Sequence, residues 1–467
     1  MGSSHFPIKY IMTHLFTLAV NSYYYLLFIN KHFLLLIFCK PHLPSCLLLM
    51  AQFHSLLLFL LPLFNLIALS LQQQSPHQNI SPVDLAALAA IKASLTELPG
   101  THFFSTWNFD APDPCSSFAG ITCSFSRVTI LTLGTGLSTS RGLAGSLSPS
   151  LANLTQLTQL ILFPGLVAGS IPPQLSQLTN LRVISFTNNR LTGPIPPSLS
   201  ALQNLHTLDL NGNQLTGSIP PSLTALPELK VLVLASNELS GELTSVSAQL
   251  LHLDVKKNRV SGPLPRSLPL SLRYLSLSEN TMWGPINVLE SLTELIYLDL
   301  SMNQFNGPIP NSLLHPSLST LLLQRNNFSG WVPRTVNTGS TISYGGGSIV
   351  DLSHNFLTGE LSPVLAEVES LFLNNNRLIG KVPEEYVKSV LEGKTQTLYL
   401  QHNYLSGFPL DPGSELPGTA ALCLSYNCMV PPVGLATCPK SAGRQLWRPA
   451  SQCSVFNNHS IFNITQI

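Results

Sequence analysis

The sequence predicts an α/β solenoid, in which short strands stack side by side into a parallel, concave sheet. Two observations carry this prediction. The pattern L-x-x-L-x-L-x-x-N-x-L-x-G-x-I-P recurs along the chain at intervals of about two dozen residues, and periods of this size are typical of repeat architectures. Residues 124–422 contain no cysteine, whereas cysteines cluster on both sides of that region, which indicates pinned ends on a stacked array.

The composition excludes several classes of function. The 467-residue chain is 45% hydrophobic but only 10% charged, and its formal net charge is +1. A polyanion partner such as nucleic acid is not indicated, because no run of Lys or Arg is present. The motifs G-x-S-x-G, H-E-x-x-H and the P-loop are also absent, so we expect no enzyme activity, no cofactor and no metal site.

The N-terminal region has two interpretations. Residues 50–70 have the short leucine-rich core and small-residue end of a secretory signal peptide. We interpret residues 1–49 as an artefact of gene prediction upstream of that signal. The alternative is that translation begins at Met1 and that this apolar region anchors the chain to a membrane.

Each repeat unit is predicted to begin with a short strand and to end in an asparagine turn. In Leu205–Asn213, leucines alternate with polar residues, so Leu208 and Leu210 face inward and Asp209 and Asn211 outward. The amide of Asn213 has both donors and an acceptor for buried backbone groups at the turn, and Gly217 permits a positive φ. The same structural role is predicted for Asn189, Asn213, Asn237, Asn258, Asn280, Asn303, Asn326, Asn355, Asn376 and Asn403.

The segments Leu191–Leu199 (LTGPIPPSL) and Leu215–Leu223 (LTGSIPPSL) carry a family resemblance. They resemble the plant extracellular leucine-rich repeat family, which includes receptor-like proteins, receptor-kinase ectodomains and polygalacturonase inhibitors. The resemblance covers roughly residues 81–454 and implies a curved, right-handed horseshoe of about twelve repeats at 126–410. It also implies an N-terminal cap at 81–125, a Cys-rich C-terminal cap at 411–454 and, beyond it, a polar tail at 455–467.

The cap at 81–125 is expected to begin with a helix. Ser81 and Asp84 have the spacing of a capping box, and Trp107 precedes the paired cysteines of the family's cap, with Phe118 where a tryptophan is more usual. The resemblance implies a Cys115–Cys123 bridge. The C-terminal cysteines allow three pairings, which the sequence leaves open; they are Cys423, Cys428, Cys438 and Cys453.

The cysteine distribution and the N-x-[ST] sequons favour an oxidising, secretory route. Zinc is a poor alternative, since the cysteines form no CxxC pair and no histidine cluster accompanies them. The candidate glycosylation sites are Asn79, Asn153, Asn327, Asn458 and Asn463. Because neither a kinase signature nor a second long apolar run follows the repeats, we expect a secreted protein of the extracellular space or cell wall.

The function predicted from the sequence is non-catalytic recognition in cell-surface signalling, development or defence. The expected partner is an extracellular protein, a peptide, a wall polysaccharide or a receptor-kinase ectodomain. A pectinase inhibitor and a wall-associated scaffold are the alternatives. Tyr274 and Tyr297 stand out because they occupy one outward slot on adjacent units, and such residues are frequent at binding hot spots. The predicted ligand-binding residues are Asp254, Lys256, Lys257, Tyr274, Tyr297, Asp299, Gln324 and Arg325, with a second patch at Phe372, Tyr399 and His402.

Overall fold

The computed structural model describes residues 24–29, 33–38, 80–136, 142–333, 344–411 and 413–459, the side chains of 24–29, 33–38 and 455–459 excepted. The chain divides into two units, residues 1–78 and 79–467. In the first, β1 (Tyr24–Ile29) and β2 (Phe33–Phe38) pair as an antiparallel hairpin. The predicted signal peptide at 50–70 lies outside the described residues, as do Asn79 and Asn463.

The second unit is a solenoid built from two long sheets. Sheet 1 has fourteen strands, numbered with the others in chain order: β4 (Ile121–Ser124), β5 (Arg127–Leu133), β7 (Gln159–Leu162), β9 (Val183–Phe186), β11 (Thr207–Asp209), β13 (Val231–Val233), β15 (His252–Asp254), β17 (Tyr274–Ser276), β19 (Tyr297–Asp299), β21 (Thr320–Leu322), β23 (Ile349–Asp351), β25 (Ser370–Phe372), β27 (Thr397–Tyr399) and β29 (Ala421–Cys423). Apart from the antiparallel pair β4–β5, its strands are parallel. This is the parallel sheet that the leucine pattern predicts.

The second half of each repeat forms a further sheet that the sequence reasoning did not anticipate. Sheet 2 has thirteen strands: β3 (Leu95–Glu97), β6 (Leu143–Ser146), β8 (Leu166–Ser170), β10 (Arg190–Pro194), β12 (Gln214–Gly217), β14 (Glu238–Glu242), β16 (Arg259–Gly262), β18 (Thr281–Gly284), β20 (Gln304–Gly307), β22 (Asn327–Trp331), β24 (Phe356–Glu360), β26 (Arg377–Lys381) and β28 (Tyr404–Gly407). Gly217 has a φ of 77°, and a Cβ added there would lie 3.6 Å from Pro194 Cβ of the preceding coil. Glycine therefore lets each strand turn beside its neighbour.

The core lies inside the coil, where leucines of the two sheets meet. Leu208 and Leu232 of sheet 1 and Leu215 and Leu239 of sheet 2 are all fully buried. Most of the described coils return to sheet 1 through a short irregular or 3₁₀ segment, such as Pro197–Ala201, whereas the coil between β26 and β27 returns through the helix Glu384–Leu391. No coil encloses its leucines alone, so each depends on its neighbours for burial.

The asparagine side chains join consecutive coils. Asn213 Nδ2 donates to the carbonyl oxygens of Phe186 at 2.6 Å and Leu210 at 3.1 Å, while its Oδ1 accepts from the N–H of Leu191 at 3.1 Å. Each of the other nine predicted asparagines likewise donates to a carbonyl oxygen of the preceding coil and accepts from a backbone N–H of that coil. Asn213 is therefore part of the frame, as its recurrence indicates.

The repeat geometry continues into the range predicted as the C-terminal cap. β29 adds a strand to sheet 1, and Asn427 makes the same contacts as the other ladder asparagines, donating to the Leu400 carbonyl at 3.0 Å. The strand and asparagine pattern of the repeats therefore extends to Asn427, within the range predicted as the cap. The segment Leu422–Asn427 (LCLSYN) retains the L-x-L-x-x-N spacing, but its cysteine favoured interpretation as a cap.

Among the residues that the structure describes, four α-helices lie in the caps and the last coils. They are α1 (Pro82–Ser94), α2 (Pro114–Ser117), α3 (Glu384–Leu391) and α4 (Ala450–His459). The Cys115–Cys123 bridge implied by the resemblance is present, and the open C-terminal pairing is Cys423–Cys438 with Cys428–Cys453. Among the described residues, no helix has both the length and the apolar character needed to cross a bilayer.

The predicted capping box at the start of α1 is wrong. The backbone N–H of Ser81 donates to the Ser126 carbonyl at 2.8 Å, so it is unavailable to Asp84. The fully buried Asp84 instead accepts from Arg127 Nε at 3.0 Å and from the N–H of Val128 at 2.8 Å. Asp84 thus fastens the helix to the first long strand. Nearby, Phe118 stacks on Trp107 with ring centroids 5.2 Å apart, which gives the unusual phenylalanine a packing role.

Candidate functional site

The outer face of sheet 1 carries a stack of three rings. His252, Tyr274 and Tyr297 occupy the same position on β15, β17 and β19, and the strand register places them side by side. The centroids of His252 and Tyr274 are 4.0 Å apart, those of Tyr274 and Tyr297 are 4.3 Å apart, and both ring pairs are within 5° of parallel. We call these three residues the aromatic stack. The sequence prediction included the two tyrosines but missed His252, which the shared slot alone would have revealed.

The aromatic stack is half-buried and uncharged near neutral pH. Burial, together with the neighbouring Tyr297 hydroxyl, raises the pKa of Tyr274, and burial also raises the pKa of Tyr297. Burial lowers the pKa of His252, an effect that the carboxylates of Asp254 and Asp209 oppose. Because the rings cover one another's faces, the stack presents edges and polar atoms to solvent.

A series of carboxylates lies beside the aromatic stack on alternate strands. One oxygen of each accepts from the backbone N–H two residues later; the pairs are Asp209 with Asn211, Asp254 with Lys256, Asp299 with Ser301 and Asp351 with Ser353. Burial raises the pKa of Asp209, Asp254 and Asp351. These aspartates therefore shape the strand ends with one oxygen and leave the second for other contacts.

The carboxylates of this face are widely spaced. Successive aspartates are two strands apart, which corresponds to about 10 Å. Within the part of the chain that the structure describes, no three His, Cys, Asp or Glu side chains lie close enough to hold a metal ion. Lys256 Nζ lies 3.8 Å from Asp254 Oδ2, so this carboxylate has a cationic neighbour.

Some predicted contact residues lie in the turns and not on strands. Lys257, Arg325 and His402 each immediately precede a ladder asparagine and have φ values of 57–60°. The chain needs this left-handed conformation to direct the next side chain inward. Lys257 and Arg325 are exposed, so they line the edge of the face. Gln324 is half-buried, and its Oε1 has no hydrogen-bond partner among the described residues.

The second predicted patch is partly occupied by the C-terminal cap. The Tyr399 hydroxyl donates to the Thr437 carbonyl at 3.4 Å, and His402 Nε2 lies 3.0 Å from the Ala442 carbonyl oxygen. Phe372 packs edge-on against Tyr399 at 5.3 Å. The sequence could not show that the cap returns over the last strands of sheet 1. These residues hold the cap, and the proposed ligand surface is the region of the aromatic stack.

Comparison with known proteins agrees with this architecture. The leucine-rich repeat N-terminal domain family matches residues 81–124, a two-copy leucine-rich repeat family matches 203–247, and a single-repeat family matches 180–202 and 294–315. Receptor-like protein 53 of Arabidopsis thaliana is 31% identical over 150 residues, and Receptor-like protein 33 is 26% identical over 153 residues. These matches cover 30% and 32% of this chain but only 15% of each relative.

A solved structure matches a larger share of the chain. The crystal structure of a plant ice-binding protein superposes with a TM-score of 0.53 at 26% sequence identity. The superposition covers 71% of this chain and 97% of the ice-binding protein. The two chains therefore share the solenoid over almost the whole of the smaller protein.

Proposed function

We propose that this chain, which belongs to the plant leucine-rich repeat family, is a non-catalytic recognition module that binds an extracellular protein or peptide. The observation that carries the proposal is the aromatic stack on the outer face of sheet 1. Half-buried tyrosines beside carboxylates and lysines combine apolar area with hydrogen-bonding groups, which is the chemistry of protein contact sites. Secretion to the extracellular space or cell wall is part of this proposal.

The ring arrangement favours a polypeptide over a wall polysaccharide. A sugar packs best on an open aromatic face, whereas the faces of Tyr274 are covered by His252 and Tyr297. Ring edges, hydroxyls and the carboxylate of Asp254 instead match the N–H groups and cationic side chains of a peptide. A receptor ectodomain would offer the same groups on a folded surface.

A displayed library of random peptides tests the proposal. Wild-type protein should enrich a defined set of peptides, and Tyr274→Ser with Tyr297→Ser should reduce capture of that set at least about tenfold, as for a hot-spot pair. Thr207→Ala with Val183→Ala is the matched control, because these residues occupy the same slot on β9 and β11. Equal capture by the tyrosine variant, with an unchanged melting temperature, would refute the site.

Two parallel assays address the alternatives predicted from the sequence. An array of wall oligosaccharides tests glycan recognition on the same face, using the same pair of variants. Addition of the purified chain to a fungal pectinase tests inhibition, for which a lowered rate is the required result. If no oligosaccharide binds, the pectinase rate is unchanged and the peptide selection fails, the scaffold role is favoured.

Ice binding is a second candidate, favoured by one specific feature of sheet 2. Thr192, Thr216, Ser240 and Ser261 lie at the same outward position of successive repeats, on β10, β12, β14 and β16. The strand register offsets each of them from the next by two residues, so successive hydroxyl-bearing residues lie about 8 Å apart in a regular array that is suited to an ordered water surface. The similarity to a plant ice-binding protein motivates the test. Thermal hysteresis that falls on Thr192→Lys with Thr216→Lys would support it, and no hysteresis in the wild type would reject it.

A further inference from the structure

Three large aromatic side chains are exposed on the outer face of sheet 2, away from the aromatic stack. Trp331 is 72% exposed, Trp283 is 50% exposed and Phe356 is 43% exposed. Most of this face is covered by polar side chains, both short and long. Exposed aromatic rings that surround one residue offer contact sites to a group attached to that residue.

The strand register places Asn327 among these aromatic groups. Asn327, Ser329 and Trp331 alternate along β22, and Ser329 is the partner of Phe356 on β24. With about 4.8 Å between strands and about 3.3 Å per residue, Phe356 lies roughly 8 Å from Asn327, and Trp331 lies about 13 Å away. Trp283 is on β18, which is separated from β22 by β20, and lies about 12 Å from Asn327.

Asn327 is the acceptor of the sequon Asn327-Phe328-Ser329. Asn327 is exposed, whereas Phe328 is fully buried and fixes the strand. We propose that Asn327 carries an N-linked glycan, and that this glycan lies on sheet 2 and covers Trp283, Trp331 and Phe356. The inference rests on the secretory route included in the proposed function.

The aromatic rings on sheet 2 suit a sugar better than those of the aromatic stack. Atoms Cδ1, Cγ and Nε1 of Trp331 lie 3.1, 3.2 and 3.5 Å from the point where a Cβ on Gly359 would stand. The indole therefore lies against this glycine, while most of its surface stays open to solvent. Asn306 of β20 is the register partner of Asn327, and its exposed amide can hydrogen-bond to sugar hydroxyls.

Covalent attachment explains why the chain's own glycan is the favoured occupant. A tethered ligand reaches its surface at high effective concentration, so weak ring–sugar contacts suffice to hold it. The nearby Phe356 is also covered by Arg377, whose guanidinium carbon lies 4.9 Å from the ring centroid. The open faces left for the glycan are therefore chiefly those of Trp283 and Trp331.

The test uses the full chain secreted from plant cells. Mass spectrometry of tryptic peptides, after enzymatic deglycosylation in heavy-oxygen water, measures occupancy at Asn327 and at the exposed control sequon Asn153. Quenching of tryptophan fluorescence by acrylamide is then measured for the chain with both sequons intact and for each sequon variant, all carrying Trp447→Phe. The chain contains four tryptophans and Trp107 is buried, so Trp283 and Trp331 dominate the signal.

Asn327→Gln should raise the quenching constant roughly twofold, because the glycan no longer shields the two indoles. Asn153→Gln, the matched loss of a glycan elsewhere, should leave quenching unchanged. An occupied Asn327 with unchanged quenching in Asn327→Gln would overturn the proposal. A bare Asn327 in the secreted chain would overturn this proposal alone, whereas a chain that stays inside the cells would overturn it together with the secretory route.

Discussion

Asn213→Ala should destabilise the solenoid without changing what it binds. The substitution removes an amide that pairs the buried N–H of Leu191 and the carbonyls of Phe186 and Leu210. Two of these three groups belong to the preceding coil, so the loss weakens the contact between coils as well as one turn.

The magnitude follows from the groups left without partners. An unpaired buried backbone group costs about 1–3 kcal/mol. We expect a loss of roughly 2–5 kcal/mol in the free energy of unfolding, because the N–H of Leu191 has no route to water and the carbonyls recover little. The estimate applies to the cooperative unit that contains these coils.

The assay is urea unfolding followed by circular dichroism, with hydrogen exchange at Leu191 as a local probe. Asn211→Ala is the matched control, since its half-buried side chain faces outward two residues earlier and should cost less than about 0.5 kcal/mol. A difference between the two variants of less than about 0.5 kcal/mol would refute the structural role of Asn213. Loss of peptide capture by Asn213→Ala at unchanged stability would instead place this residue in the binding site.

Three further predictions concern charge, turns and the cap. Burial raises the pKa of Asp254 above its ordinary value of 3.8, so the folded chain holds this proton more tightly; the resulting stability is present below about pH 3.8 and is lost as the pH rises through the higher folded pKa. Asp254→Asn should therefore lose less stability than wild type between about pH 4 and about pH 7 in thermal melts, and an identical pH profile would contradict the assignment. Gly217→Val should cost about 1–2 kcal/mol or more at its φ of 77°, whereas Ser218→Val is the control and a cost equal to that control would argue against a turn requirement. Replacing Cys423 and Cys438 with Ala opens a loop of separation 15 and should cost about 3 kcal/mol; hydrogen exchange near Thr437 should accelerate, and unchanged exchange would show that the cap holds without the bridge.

Local sequence patterns were sufficient to predict the repeat, the direction of the side chains and the asparagine ladder. These features follow from local periodicity, because a strand alternates its side chains and a recurrent asparagine at one slot implies one recurrent set of partners. The adjacency of Tyr274 and Tyr297 followed in the same way, since equal slots on stacked units must lie side by side. The Cys115–Cys123 bridge came from the resemblance to the plant family.

Other features depend on contacts between distant parts of the chain and are visible only in the folded protein. Asp84 pairs with Arg127 instead of capping its own helix, because the Ser81 N–H is taken by Ser126. Tyr399 and His402 contact the C-terminal cap because the chain folds back after β29. No local sequence pattern specifies which residues such a returning segment will contact. The repeat pattern thus predicts which side chains point outward from each coil. The path of the folded chain determines which of these side chains stay accessible to a partner.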